Sequence, residues 1–180
     1  NPFHNGHLYQ LQKAKELANA DYTIIIMGGN FMQRGTPAIM DKYTRAKVAL
    51  SCGADLVIEL PSYYSTGSAE YFALGAVSLL EKLGAVTHIC FGSECGDIKK
   101  KKKIAGILLE ESPEFQNCLQ SHLRSGETYP SARTAALIKI APELSANISV
   151  LNSPNNILGI EYIKNIMKLE SSITPLTTKR

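Results

Sequence analysis

Hydrophobic and polar positions fall into two rhythms along this chain. Leu8, Leu11, Ala14, Leu17 and Ala18 recur at helical spacing and predict a helix over residues 8–18. Residues 22–27 form a short apolar, β-branched run that stops at Gly28-Gly29-Asn30, as a strand buried on both faces does. Residues 31–39 carry Gly35 and Pro37 and read as irregular. Asp41 is placed to cap a helix that runs to Cys52 and is ended by Gly53. Residues 56–60 predict the next buried strand, stopped by Pro61. Residues 68–83 predict an Ala-rich helix closed by Gly84, and 86–91 a third strand ended by Gly92. Strands and helices alternating at this pace predict an α/β fold with a parallel sheet and right-handed crossovers. Residues 1–7 hold Pro, Asn and Gly and read as a loop. The first strand of such a sheet is expected ahead of Asn1, so the chain reads as a fragment.

Beyond Lys103 the rhythm changes. Residues 104–111, 114–124 and 131–140 have helical patterns with no clear strand between them. Residues 148–151 predict a short strand, 154–156 a loop or the start of a helix, 157–167 a helix, and 173–176 a last strand. The expected organisation is an α/β core over 1–98, a helical insertion over 99–147, and a return to the core over 148–180.

Composition narrows the class. The 180 residues are 44% hydrophobic and 19% charged, the balance of a globular domain. No apolar run approaches the roughly 20 residues of a membrane helix, so no membrane association is expected. Cys52, Cys90, Cys95 and Cys118 form no Cys-x-x-Cys pair and have no His at zinc-finger spacing. They read as reduced, mostly buried thiols of a cytoplasmic protein, and no metal ligand set is assigned. The net charge of +3 permits an anionic ligand. The five lysines at 99–103 read either as a solvated loop or helix start, or as contacts to an RNA backbone.

The chemistry concentrates at His4-Asn5-Gly6-His7, which runs into the first helix. Backbone amides at a helix N-terminus and the helix dipole favour an anion. Gly6 gives a phosphate or an adenine room beside the backbone. Two imidazoles three residues apart can donate to one phosphate group and stabilise charge that develops during transfer at phosphorus. Read without that context, the pair is two surface histidines or half of a metal site.

Asn-Pro-Phe-His-Asn-Gly-His resembles the His-x-Gly-His motif of the nucleotidyltransferase superfamily. A longer series is more specific: Met27 to Gly35 as Met-Gly-Gly-Asn-Phe-Met-Gln-Arg-Gly, Asp41-Lys42, Arg45, Gly53 to Pro61, Ser68-Ala-Glu70, Phe91-Gly-Ser-Glu94, and Pro154 to Tyr162. In this order the series resembles the tRNA(Met) cytidine acetate ligase family. The resemblance implies a Rossmann-like parallel sheet of nucleotidyltransferase type with a helical insertion. It implies an ATP-dependent ligase that activates acetate as acetyl-adenylate and acetylates the exocyclic amine of the wobble cytidine of elongator tRNA(Met), with Mg²⁺ shielding the triphosphate. By the same resemblance His4 and His7 are catalytic. Asn1, Pro2, Phe3, His4, Asn5, Gly6, His7, Leu8, Tyr9, Gly92, Asn156 and Arg180 bind ATP, with Asn155 as the alternative to Asn156. The superfamily's second phosphate motif belongs just after Arg180. It is not in this sequence, and the polypeptide alone is expected to bind ATP poorly and to catalyse nothing.

Other residues keep two readings. Gln33 and Arg34 lie in a loop at a strand's carboxyl end, where α/β sheets bind ligands. They are candidates for acetate or tRNA contact, or for closing their own loop. Lys42 and Arg45 are either surface charges on a capped helix or further such contacts. Glu59, Glu70 and Glu94 are functional carboxylates or acceptors for backbone amides, with Glu94 favoured as functional because it follows Gly92. Lys99 to Lys103, Arg124, Arg133 and Lys139 offer a basic surface to RNA. Tyr63, Tyr64, Tyr71 and Tyr129 either stack on a base or pack. No protein partner is evident. The rival functions are an adenylyltransferase acting on a small phosphorylated metabolite and a non-catalytic nucleotide- or RNA-binding module.

Overall fold

The structure, a computed structural model, describes residues 2–147, 150–151 and 153–179. In chain order it comprises α1 (Asn5–Ala18), β1 (Ile24–Gly28), a 3₁₀ turn (Gln33–Gly35), α2 (Lys42–Ser51), β2 (Leu56–Leu60), α3 (Ser62–Ser65), α4 (Ala69–Leu83), β3 (His88–Ser93), α5 (Ile98–Glu110), α6 (Pro113–Arg124), α7 (Tyr129–Ile140), a 3₁₀ segment (Pro142–Asn147), α8 (Pro154–Lys168) and β4 (Thr174–Lys179).

Local chemistry sets these limits. Asp41 caps α2, its Oδ1 accepting from the amides of Tyr43 and Thr44 at 2.9 Å each. Gly53, at φ 102, makes the left-handed turn that follows that helix. Ser68 caps α4 and Gly84 closes it. β1 begins at Ile24 because Thr23 is held at the sheet edge: its amide and hydroxyl donate to Asp55 Oδ2 at 2.8 and 3.0 Å. Tyr22, at the start of the predicted strand, is 77% exposed. α5 begins at Ile98 and takes in the whole lysine run, because Asp97 caps it with a bond from the Lys100 amide at 3.1 Å. Of the loop and helix-start readings of 99–103, the helix start is the one seen. Pro154 occupies the first turn of α8, where its missing N–H costs nothing. The short strand expected at 148–151 is not seen where it can be checked: Val150 and Leu151 are helical and buried, while 148 and 149 lie outside the described residues.

The predicted parallel pairing takes the form of two ladders. β1 pairs with β2, Ile24 opposite Leu56 through Gly28 opposite Leu60. β3 pairs with β4, His88 opposite Thr174 through Ser93 opposite Lys179. The two ladders share one helical layer. Val77 and Leu80 of α4 and Ile166 of α8 are buried against Ile24 and Ile26 of β1 and against Ile89 of β3. Helix α1 packs on the other pair, where Gln10 donates to Cys90 Sγ at 3.3 Å and accepts from the Thr178 hydroxyl.

The larger core belongs to the helices and runs into the sheet. Ile104 and Leu108 of α5, Phe115 of α6, Ala136 and Leu137 of α7, and Ile160 and Ile163 of α8 pack in one cluster with Phe91 of β3. Gly159 makes that junction possible, since a Cβ there would stand 2.5 Å from the Phe91 ring. The stretch expected to be an insertion therefore has no core separate from β3 and α8. Phe115 is 1% exposed within this cluster. Phe115→Ala is expected to lower stability by about 3–5 kcal/mol, seen in urea denaturation as a lower midpoint with an unchanged slope.

Candidate active site

Helix α1 starts three residues earlier than its apolar pattern, and the two histidines are the reason. His4 is the N-cap, in extended conformation at φ −141 and ψ 173. Its Nδ1 accepts from the Gly6 amide at 3.0 Å, and its own amide donates to His7 Nδ1 at 3.3 Å. This is a reciprocal capping box in which both side chains are imidazoles. Asn5, Gly6 and His7 form the first helical turn, which corrects the loop reading of that stretch. Gly6 also has a nearer purpose than ligand access, because a Cβ there would stand 2.8 Å from His4 Cε1. Only glycine lets the His4 ring fold back over the amide it caps.

The cap fixes proton positions. A neutral imidazole that accepts at Nδ1 carries its proton on Nε2. Both rings are therefore held as Nε2–H donors. They lie with centroids 3.9 Å apart, tilted by 36°, and Phe3 flanks His7 at 5.5 Å. Both are exposed, as are Pro2, Asn5 and Tyr9, while Phe3 and Leu8 are half-buried. Gln10, one turn further along, binds Thr178, which lies opposite Gly92 in the β3–β4 ladder. The first turns of α1 and Gly92 therefore share the carboxyl end of that ladder. Asn1 and Arg180 lie outside the described residues.

The loop after β3 is tied to the start of α8. Glu94 accepts from Asn155 Nδ2 at 2.8 Å and from the Asn156 amide at 3.0 Å. Asn156 is 1% exposed, and its Oδ1 accepts from the Cys95 amide at 3.4 Å. Both asparagines thus hold the segment that follows Gly92. Burial alone raises the Glu94 pKa, but the bonds from Asn155 and Asn156 outweigh it and hold the carboxyl below its ordinary value. The anionic form also suits the N-terminus of α8. Sequence reading missed the residue beneath this loop: Lys101, fully buried, whose Nζ donates to Ser93 Oγ at 3.0 Å. A lysine run hides which member turns inward. The signal is its place one turn after the Asp97 cap, on the apolar side shared with Ile104, Ala105 and Leu108.

The loop after β1 rests on Arg45, which is only 4% exposed. Its guanidinium donates to the carbonyls of Met40 at 3.1 Å, of Gly28 at 3.1 Å and of Gly29. Arg45 is a brace for its own loop, which corrects its reading as an acetate or tRNA contact. Lys42 pairs with Glu59 at 2.6 Å, and that carboxylate lies against Gly29, where a Cβ would stand 2.2 Å from Oε1. Gln33 is exposed, and the side chain of Arg34 lies outside the described residues. Tyr64 is packed against Gly75, whereas Tyr63 and Tyr71 are 72% and 46% exposed and meet edge to face. Away from the histidines, a cavity of about 270 Å³ is lined by Ser68, Tyr129, Arg133, Leu137, Glu161 and Lys164. Buried Glu161 there bridges Arg133 at 3.0 Å and Lys164 at 2.7 Å, and Lys164 reaches Glu70 at 3.2 Å.

Glu94 gives a pH test. Because its folded pKa is depressed, the stability it contributes is present above its ordinary value of 4.5 and is lost as pH falls through the lower folded value. Glu94→Gln is expected to be less stable than wild type at neutral pH, and the difference should shrink on acidification below pH 4.5. Urea midpoints of the two proteins across that range check it.

Known proteins resemble this chain in sequence and fold. A family model described as HIGH Nucleotidyl Transferase matches residues 1–180. The tRNA(Met) cytidine acetate ligase of Clostridium novyi is 52% identical over 180 residues, covering 100% of this chain and 45% of that protein. The enzyme of the same name from Acetivibrio thermocellus is 53% identical over 181 residues, with 100% and 43% covered. A crystal structure of Thermotoga maritima TmcAL bound with alpha-thio ATP superposes with a TM-score of 0.95 at 45% identity, covering 99% of this chain and 44% of that one. The chain thus spans a little under half the length of the curated relatives it matches. It belongs to the HIGH nucleotidyl transferase family, with the tRNA(Met) cytidine acetate ligases as its relatives within that family.

Proposed function

We propose that this chain is the nucleotide-binding part of an ATP-dependent ligase that activates acetate and acetylates the exocyclic amine of the wobble cytidine in elongator tRNA(Met). One observation carries the reading: the reciprocal cap that holds His4 and His7 side by side as Nε2–H donors at the N-terminus of α1. Two such donors, together with the helix dipole, suit the charge that builds on the α-phosphate as a nucleophile attacks it. An acetate oxygen attacks the α-phosphorus, pyrophosphate leaves, and acetyl-adenylate forms. The cytidine amine then attacks the acetyl carbonyl, AMP leaves, and the amine gives up a proton. The mixed anhydride is needed because a free carboxylate is a poor acyl donor.

ATP is the substrate in this reading, as alpha-thio ATP is the ligand of the Thermotoga maritima relative. Residues 1–9, Gly92, Asn156 and Arg180 make up its site, with Asn156 acting through the loop after β3. Magnesium would travel with the triphosphate. Among the described residues no three His, Cys, Asp or Glu side chains group to hold a resident ion. Gln33, Arg34 and Lys42 are the acetate or tRNA contacts, and Lys42 would exchange its Glu59 partner for the ligand. Residues 1–98 and 148–180 form the nucleotide-binding core, and 99–147 a helical element. On that element the exposed Lys99, Lys102, Arg124 and Lys139 are suited to tRNA phosphates, while Tyr63 and Tyr71 offer faces for base stacking. The reaction is cytoplasmic, and no helix of the described residues is long and apolar enough to cross a membrane.

The test is ATP–pyrophosphate exchange by the full-length protein with and without acetate. Exchange is expected to require acetate, and His4→Ala and His7→Ala are each expected to lower it by about 10²-fold or more. Exchange that ignores acetate but needs a phosphorylated acceptor would support a metabolite adenylyltransferase instead. Nucleotide binding with no exchange under any condition would support a binding module.

A further inference from the structure

Lys101 is an unusual lysine: 0% exposed, and with no carboxylate within ion-pair distance among the described residues. Its Nζ meets a hydroxyl, a thiol and a carbonyl, namely Ser93 Oγ at 3.0 Å, Cys95 Sγ at 2.8 Å and Asp97 O at 3.5 Å. A buried lysine serving only as a structural cation is ordinarily paired with a carboxylate, and a thiol is a weak acceptor. The contact with Cys95 is also shorter than its counterparts in the same molecule. Gln10 Nε2 stands 3.3 Å from Cys90 Sγ, and the Asp97 amide 3.5 Å from Cys95 Sγ. Nitrogen and sulfur are thus in direct contact, with no atom between them.

Access is divided between the two partners. Cys95 is half-buried, within reach of a small oxidant, while Lys101 is closed to solvent. Around the sulfur stand two donors suited to an added oxygen: Lys101 Nζ and the Asp97 amide. Cys52, Cys90 and Cys118 have no lysine among their hydrogen-bond partners in the described residues.

We infer that Cys95 and Lys101 form a peroxide-driven, thiol-reversible covalent link between Sγ and Nζ. In the first step hydrogen peroxide oxidises the thiol. The O–O bond breaks, an S–O bond forms, and water leaves with the thiol proton, giving a sulfenic acid at Cys95. In the second step the lone pair of the Lys101 amine attacks that sulfur. An S–N bond forms, the S–O bond breaks, and the oxygen leaves as a second water with one proton from the nitrogen. Sulfur gives up two electrons, and peroxide takes them. A thiol reductant that attacks the sulfur restores the amine and then the free cysteine. The link fastens the Ser93–Asp97 loop to α5. Since that loop also carries Glu94 and follows Gly92, the modification acts on the segment that joins β3 to α8.

The experiment treats the full-length protein with hydrogen peroxide and maps its peptides by mass spectrometry before and after dithiothreitol. A peptide joining Cys95 to Lys101 with two hydrogens lost is expected, and dithiothreitol should remove it. A joined peptide that has also gained one oxygen, an N–O–S bridge made with a second equivalent of peroxide, supports the same assignment. Cys95→Ser is expected to abolish the joined peptide. In Lys101→Met the sulfenic acid should persist and be trapped by dimedone, which wild type resists. The inference is overturned if Cys95 ends as a sulfinic acid or a disulfide, or stays a thiol while Cys52 or Cys90 is oxidised. The wild-type map decides this alone if the lysine variant does not fold.

Discussion

The site depends on how two backbone amides at the start of α1 are satisfied. Helix N-termini leave amides without intrahelical partners, and most helices meet that need with a hydroxyl or a carboxylate. Here imidazoles meet it, which gives each ring two tasks on two different nitrogens. Nδ1 closes the helix cap, and the same bond sets which tautomer faces outward. Fold and chemistry are therefore not separable at His4 and His7. The requirement passes to Gly6, because the folded-back ring leaves no space for a side chain there.

The same economy recurs at the other strand ends. Arg45 donates its guanidinium to the carbonyls of Met40, Gly28 and Gly29, so a charged side chain ties the two ends of the loop between β1 and α2. Glu94 supplies to α8 the acceptor that Ser153, its N-cap, does not, since Ser153 makes no side-chain capping bond. Asn156 returns the contact to the Cys95 amide. Polar residues that a sequence offers as ligand contacts are in several cases braces for the glycine-rich backbone beside them.

Much of the architecture is legible in the sequence because its punctuation is orthodox. Asp41, Ser68, Gly53 and Gly84 bound α2 and α4 by known capping chemistry, and the apolar run at 56–60 matches β2 residue for residue. The start of α1 is harder to read because His is not a usual cap, although the i, i+3 spacing of the capping box is present in His4 and His7. The burial of Arg45 and Lys101 could not be read from residue type, since both are charged and each lies among other charged residues. What decides their place is tertiary: carbonyls left unpaired at the end of β1, and a small polar recess beneath the loop after β3. The histidine pair is legible in the sequence, while its proton positions follow from the cap bonds, which residue type does not show.

Phe91 lies on the same strand as Gly92 and is packed among Ile104, Phe115, Leu137 and Ile160. The helical element and the loop after β3 thus lean on one close-packed interior, and such interiors transmit displacement rather than absorb it. The helices cannot swing as a free lid without opening that interior. On the proposed function, a macromolecule gripping their outer faces and a nucleotide pressing on the β3 loop would perturb the same contacts from opposite sides. A shift of those contacts by one would be felt by the other, and such coupling is reciprocal by thermodynamic necessity. On the proposed function, loading the small ligand and docking the large one would share a single mechanical lever.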